Sequence, residues 1–350
     1  MTTEIRNRQP PRQGVGLAAA SLALAACLSV PAAQAGVLEE VQDRGYVQCG
    51  VTPGVPGFSA PNEDNAWAGL EVDFCRALAA AIFNDADKVR YLPIANQERF
   101  VALFSGAIDV LSRTTTWNMS RDTELGVTFV GPLYFDGQAF LVHKSIGVTT
   151  ALDMSGVSLC MKSGTNTELV AADYFSSHGM EYSAVVFVDD DELISAYEDG
   201  RCDVFTNDSS ALAALRSKFA RPDDHLILPE IISKEFLGPV VKDDDERWFK
   251  INRWVYFALV QAEELGITQA NVDEKLTSEN PEIRRLLGLE SELGDPLGLT
   301  DDWAYRIIKH VGNYGESFER NLGTGTEIGL ARGLNALWTD GGLQYAPAIR

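Results

Sequence analysis

The residues best suited to chemistry fall in three short segments. Asp109-Val-Leu-Ser-Arg-Thr-Thr-Thr-Trp-Asn-Met-Ser-Arg121 runs from an apolar strand end into consecutive hydroxyls and then an arginine. The Arg121 guanidinium is a planar fork of donors matched to two carboxylate oxygens, and Thr114, Thr115 and Thr116 add hydroxyls and N–H groups beside it. Lys162-Ser-Gly-Thr-Asn166 sets a glycine-bearing turn before a helix, where unpaired N–H groups favour an anion. The phosphate-loop spacing GxxxxGK[ST] is absent there, so a carboxylate suits the turn as well. Cys202-Asp-Val-Phe-Thr-Asn-Asp208 ends a strand in Asn207 and Asp208. Each segment also has a plainer reading: Arg121 begins a solvated helix, and Asp208 caps the helix after it.

Elements that hold such segments in place are legible around them. Strand patterns cover Tyr46 to Val51, Val89 to Ile94 and Ile108 to Leu111, and helical spacing covers Leu70 to Ile82. A short helix over Gln97 to Ser105 is predicted to turn Phe100, Leu103 and Phe104 inward. Gln138 to His143 is a further strand, and from Ser145 the alternation begins afresh with Val157 to Met161, a helix from Thr167, Val185 to Val188 and Cys202 to Thr206. A long amphipathic helix follows over Glu246 to Leu265. Alternating strand and helix predicts an α/β fold with mostly parallel sheets, whose ligands bind beyond the carboxyl ends of the strands. All three segments sit at such ends.

The first 35 residues differ in kind from the rest. Arg6, Arg8 and Arg12 precede an apolar run from about Val15 to Val30, and Ala33-Gln-Ala35 supplies a small-residue cleavage site, the pattern of a secretory leader. A competing reading makes Leu24-Ala-Ala-Cys27 a lipoprotein processing site. No later stretch approaches the roughly 18 apolar residues of a spanning helix. Net charge is −21, and −23 once the leader's three basic and one acidic residues are gone, which argues against nucleic acid as a partner. The acidic runs from Asp189 and Asp243 lack the spacing of calcium loops and read as helix starts. Cys49, Cys75, Cys160 and Cys202 are an even number in an exported chain, so disulfides are expected. If the halves are separate lobes, the pairs are Cys49–Cys75 and Cys160–Cys202. No cofactor fingerprint or metal-ligand cluster accompanies them.

Gly69-Leu-Glu-Val-Asp-Phe-Cys-Arg-Ala-Leu-Ala79, Gly106-Ala-Ile-Asp-Val-Leu111 with its continuation to Arg121, Ser163-Gly-Thr165 and Gly200-Arg-Cys-Asp-Val-Phe-Thr-Asn-Asp208 together resemble the amino-acid-binding proteins of bacterial ABC importers. Leu228-Pro-Glu-Ile-Ile-Ser-Lys-Glu235 and Gly333-Leu-Asn-Ala-Leu-Trp338 through Gln344-Tyr-Ala-Pro347 point to the general L-amino-acid or glutamate/glutamine/aspartate/asparagine-binding subfamily, solute-binding protein family 3. The resemblance implies a two-lobed type II periplasmic-binding-protein fold with a hinge and a ligand cleft. Its implied divisions are a signal peptide over 1–35, lobe one over 36–143, lobe two over 144–234, and over 235–350 a return to lobe one with a helical extension.

The resemblance also implies roles. Arg121 matches the clamp for a ligand α-carboxylate, Thr114 and Thr116 match hydroxyls that assist, Thr165 and Asn166 match the turn whose N–H groups meet the carboxylate, and Asp208 matches the acceptor of the α-ammonium. Lys162 matches a position that reaches the ligand or cleft wall, a reason to expect acidic or amide side chains. Val55 stands where shorter relatives place an aromatic ring, leaving Phe58, Trp67 or Trp117 to cover the ligand. The implied partners are a free L-amino acid and the permease subunits of an ABC transporter, with a monomeric protein in the periplasm, no cofactor and no catalysis. The rivals are a dehydratase-like enzyme acting on a carboxylate and a sensory binding protein.

Overall fold

The computed structural model describes Thr2, Gln9 and residues 36–290 and 292–350. The leader, its Ala33-Gln-Ala35 site and Cys27 lie outside the described residues. Two five-stranded sheets form the framework. In the first, the buried strand Val47–Val51 pairs in parallel with Val89–Pro93 on one side and Val110–Leu111 on the other. Helix Leu70–Phe83 covers this sheet with a face of small residues, Ala77 and Ala79 to Ala81, that lets it approach closely. A Cys49–Cys75 disulfide joins strand to helix, with Cα atoms 6.3 Å apart.

The chain leaves the first lobe through Tyr134–Asp136 and returns through Glu235–Leu237. These two segments pair antiparallel with Glu235 opposite Asp136 and form the hinge. On one flank, Thr116 bridges to Leu237 and the Trp117 N–H donates to the Phe236 carbonyl at 2.8 Å. On the other, the Asn335 side chain both accepts from the Phe135 N–H, at 2.7 Å, and donates to its carbonyl, at 3.0 Å.

The second sheet runs in the order Tyr182–Phe187, Val157–Lys162, Val204–Asp208, Gln138–His143, His225–Ile227. The first three strands are parallel, and Gln138–His143 and His225–Ile227 complete it antiparallel. A second disulfide, Cys160–Cys202, lies within this lobe with Cα atoms 5.6 Å apart. In each sheet four of the five strands therefore run the same way, as expected, and the one that opposes them, Val240–Lys242 in the first and Gln138–His143 in the second, enters directly from the hinge. Gln138–His143, which precedes the division expected at residue 143, pairs within the second sheet. Its apolar run fits either sheet, and only pairing with Val204–Asp208, distant in sequence, assigns it to the second.

The returning strand Val240–Lys242 enters the first sheet between Val110–Leu111 and Val127–Phe129. Helix Glu246–Glu264 follows, started by Asp245, whose carboxylate accepts from the Trp248 N–H, and it buries Trp248, Ile251, Val255 and Leu259. Asp189 likewise starts helix Asp190–Glu198, accepting from the N–H groups of Asp191 and Glu192. The C-terminal helices Trp303–Val311 and Tyr314–Asn321 pack against Leu70–Phe83. There, one oxygen of buried Asp73 accepts from Ser317, Arg320 and Asn321 at 2.6 to 2.9 Å. The short helix at the first sheet's edge spans Arg99–Phe104 and buries Arg99 and Leu103 while Phe104 is 46% exposed. Leu103 points inward as expected and Phe100 packs half-buried beside it, while Arg99, on the same helix face as Leu103, takes the inward place expected of Phe104.

Candidate functional site

All seven residues singled out by sequence line one cavity between the lobes: Thr114, Thr116 and Arg121 from lobe one, Lys162, Thr165, Asn166 and Asp208 from lobe two. The cavity and its mouth together enclose about 490 Å³ of space not filled by atoms, part of it open to solvent. Its walls are the carboxyl ends of parallel strands in both sheets, so the topology that sets strand order also sets the site. Lobe-to-lobe hydrogen bonds surround it. Gln97 Nε2 donates to Ser163 Oγ at 2.7 Å, Arg99 Nη2 to the Gly164 carbonyl at 3.1 Å, and Asn166 Nδ2 to Glu235 Oε1 in the hinge at 2.9 Å.

On the lobe-one wall, Thr114 takes a left-handed φ of +36°, costly for a β-branched residue. Its N–H donates to the buried carboxylate of Glu71, whose other oxygen accepts from Ser59 Oγ at 3.2 Å. Burial pushes the Glu71 carboxyl up to about 7, against the Thr114 N–H, Arg113 and Ser59, which favour its charged form. Arg121 belongs to the short helix Met119–Glu124, capped by Asn118, and its Nη1 donates to the Thr116 carbonyl at 2.8 Å, which fixes the guanidinium over the cavity wall.

Three arginines, Arg99, Arg113 and Arg121, gather here with no carboxylate within 4 Å among the described residues. Arg99 and Arg113 are buried, and Arg99 Nε and Arg113 Nε and Nη1 have no hydrogen-bond partner among the described residues. Burial draws all three below the ordinary arginine range, Arg113 to about 10. Such a set creates a positive potential directed at an anion.

The lobe-two wall carries the opposite sign. Asp208 occupies the N-cap position of helix Ser209–Arg216, yet its side chain makes no capping hydrogen bond. Capping falls to hinge residue Asp136, which accepts from both the N–H and the hydroxyl of Ser210. The plainer reading of Asp208 as a cap is thus set aside, and its carboxylate lines the cavity. Burial, then Asp136 and Glu235, push its carboxyl well above the ordinary range, with Arg121 and Arg99 opposing. Burial raises Asp136 to about 7. Thr165 precedes helix Asn166–Ser177, but its hydroxyl donates to the Lys162 carbonyl at 2.7 Å, which leaves the first-turn N–H groups without a side-chain cap.

Lys162 is not a free cation: its Nζ donates to buried Asp190 at 2.8 Å. The aromatic cover expected from Phe58, Trp67 or Trp117 is absent from the cavity lining, where Val55 is the corresponding residue. Phe58 packs edge-on against Tyr134, Trp67 against Tyr91, and Trp117 stacks on Phe129. Each ring is held by another ring, Phe58 in a lobe interior and Trp67 and Trp117 half-buried at the margin of one. Asn96, Arg99, Thr167 and Asp190 also line the cavity and were missed. The strand-end rule had the signal for two of them, since Asn96 follows Val89–Pro93 and Asp190 follows Tyr182–Phe187.

Residues 47–253 match the family described as bacterial extracellular solute-binding proteins, family 3. The chain is 53% identical over 336 residues to the general L-amino acid-binding periplasmic protein AapJ of Rhizobium johnstonii, covering 95% of this chain and 98% of that one. It is 50% identical to the glutamate/glutamine/aspartate/asparagine-binding protein BztA of Rhodobacter capsulatus, covering 94% and 98%. Among solved structures, an ABC transporter periplasmic binding protein from Brucella ovis with glutathione bound superimposes with a TM-score of 0.89 at 51% identity, covering 91% of this chain and all of that one.

Proposed function

We propose, from the premise that this chain belongs to the bacterial extracellular solute-binding proteins of family 3, that it captures free L-amino acids in the periplasm and delivers them to the permease of an ABC transporter. The observation that carries this reading is the pair of opposed charges on facing walls. Arg121 comes from lobe one and Asp208 from lobe two, and both line one buried cavity. A zwitterion taken out of water needs both charges paired, or desolvation prevents binding. The α-carboxylate is assigned to Arg121, the Thr114 and Thr116 hydroxyls and the Thr165–Asn166 turn, and the α-ammonium to Asp208. A ligand held at both ends bridges the lobes and favours the closed state.

In this reading the protein acts as a monomer without a cofactor, and residues 1–35 direct its export. Polar, acidic and amide side chains are favoured, since the cavity lining contains no aromatic ring and few apolar side chains. It is a receptor rather than an enzyme: the similar proteins AapJ and BztA are named for binding. Calorimetric titration of the refolded, ligand-stripped protein against the twenty L-amino acids tests the proposal. Binding of several at micromolar levels or below, about −8 kcal/mol or stronger, is expected. A folded protein that binds none refutes it, and turnover of a bound carboxylate would assign the cleft to an enzyme.

A second ligand class is favoured by the Brucella ovis relative with glutathione bound. Lys162 and Asp190 also line a second, open hollow together with Gly54, Ala95, Val188 and Lys218, which we take as space for a ligand elongated through its side chain. Titration with glutathione decides this, and absence of binding removes it.

A further inference from the structure

The cavity contains an ion pair with unused hydrogen-bonding capacity. Lys162 and Asp190 are each only 8% exposed, and Lys162 Nζ meets Asp190 Oδ2 at 2.8 Å. An ammonium has three donors, so two remain on Lys162 after this bond. Asp190 Oδ1 is buried and has no hydrogen-bond partner among the described residues. Asp190 is not occupied in starting its helix, because Asp189 accepts the N–H groups of Asp191 and Glu192. Nor is it shared with Lys218, which reaches the exposed Asp191 instead. Both members of the pair line the main cavity as well as the neighbouring hollow, so the pair is presented to the side chain of a ligand held in the cavity.

A donor and an acceptor held side by side match one functional group closely. A carboxamide offers a carbonyl oxygen to Lys162 and an N–H to Asp190 Oδ1. A carboxylate uses Lys162 but brings a negative charge and no donor to Asp190, and an apolar side chain uses neither. From this we infer that the Lys162–Asp190 pair reads the ligand side chain, and that Asp190 is the specificity-determining residue that favours glutamine and asparagine over glutamate and aspartate. The inference rests on the amino-acid-binding reading above and deepens it.

Asp190→Asn tests it with little change of shape. The asparagine amide oxygen keeps the bond to Lys162, and its NH₂ group stands where Oδ1 stood, which replaces an acceptor with a donor. The stripped full-length mature protein is titrated calorimetrically with glutamine, asparagine, glutamate and aspartate. The wild type is expected to bind the amides more tightly than the acids. In Asp190→Asn the ratio of glutamine to glutamate affinity is expected to fall at least tenfold. A ratio left unchanged, whatever happens to either affinity alone, overturns the inference, since a merely structural role for Asp190 weakens both ligands alike. Failure of the wild type to bind any amino acid overturns the underlying reading and this inference with it. If Asp190→Asn does not fold, Lys162→Met/Asp190→Leu leaves no buried charge behind. That variant is expected to lose the amide preference, and its retention overturns the assignment.

Discussion

Replacing Asp208 with asparagine is expected to move ligand affinity and ligand-free stability in opposite directions. The Asp208 carboxylate is buried, accepts no hydrogen bond from the described residues, and has its carboxyl raised by burial and by Asp136 and Glu235. A carboxyl whose folded pKa exceeds its unfolded value gives stability that is fully present below the unfolded value and is lost as pH rises through the folded one. An asparagine of the same shape escapes that loss. The ligand-free Asp208→Asn protein should therefore melt above the wild type at pH 8, with the difference shrinking toward pH 4. Binding responds the other way, because the ammonium loses its charged partner. Truncating one member of a buried charge pair costs about 2–5 kcal/mol. Asparagine keeps an acceptor, so the lower part of that range applies, about 2–3 kcal/mol or roughly 30- to 150-fold in Kd. Scanning calorimetry of the stripped protein measures the first effect. Titration with an amino acid and its 2-deaminated analogue measures the second, and the analogue should bind the variant at least as well as it binds the wild type. Equal losses for both ligands would remove Asp208 from the ammonium role, and a lowered melting temperature at pH 8 would refute the electrostatic account.

Three further outcomes are expected. Arg121→Lys keeps the charge but loses the planar fork, and should weaken amino acids about 10- to 100-fold while leaving their carboxamide derivatives nearly unaffected; titration of both separates the clamp from a general charge effect. Burial raises Glu71 and Asp136 to about 7, so each contributes stability that falls between about pH 4 and pH 7. Melting temperatures of the stripped protein across that window should decline less steeply in Asp136→Asn, and a parallel curve would count against it. Loop lengths of 42 and 26 residues give losses of about 4 kcal/mol for Cys160→Ser/Cys202→Ser and about 3.5 kcal/mol for Cys49→Ser/Cys75→Ser. Denaturant unfolding reads both, and a loss under about 1 kcal/mol in either would show that chain entropy is not what the bridge supplies.

The two-lobed α/β architecture was legible because strand and helix periodicities are local and survive without partners. Both disulfides follow once the halves are taken as separate lobes, and the strand-end rule located the three segments that converge on the cavity. What was not legible depends on pairing or side-chain direction. Gln138–His143 reads as a strand under any fold, and only its register with Val204–Asp208 assigns it to the second sheet. On Arg99–Phe104 Leu103 and Phe100 face the core as expected, but Arg99 rather than Phe104 completes that face, since a buried arginine gives no apolar signal. Phe58, Trp67 and Trp117 are as suitable for a core as for a ligand, and partner rings elsewhere in the chain decided among these roles. Asp190 was hidden in an acidic run whose other members serve as a helix cap and solvated charges.

The clamp of Asn335 on Phe135 joins residues 200 positions apart, and the first sheet receives its fifth and last strand only at Val240–Lys242. A lobe that depends on such late arrivals cannot complete itself while the chain is still being made, because contacts at long separation form slowly. For a chain exported through a narrow channel, as proposed here, that delay is useful. Under that proposal the polypeptide is expected to remain threadable until its C-terminal segment has crossed, so that the cleft first forms on the side of the membrane where the ligand is to be captured.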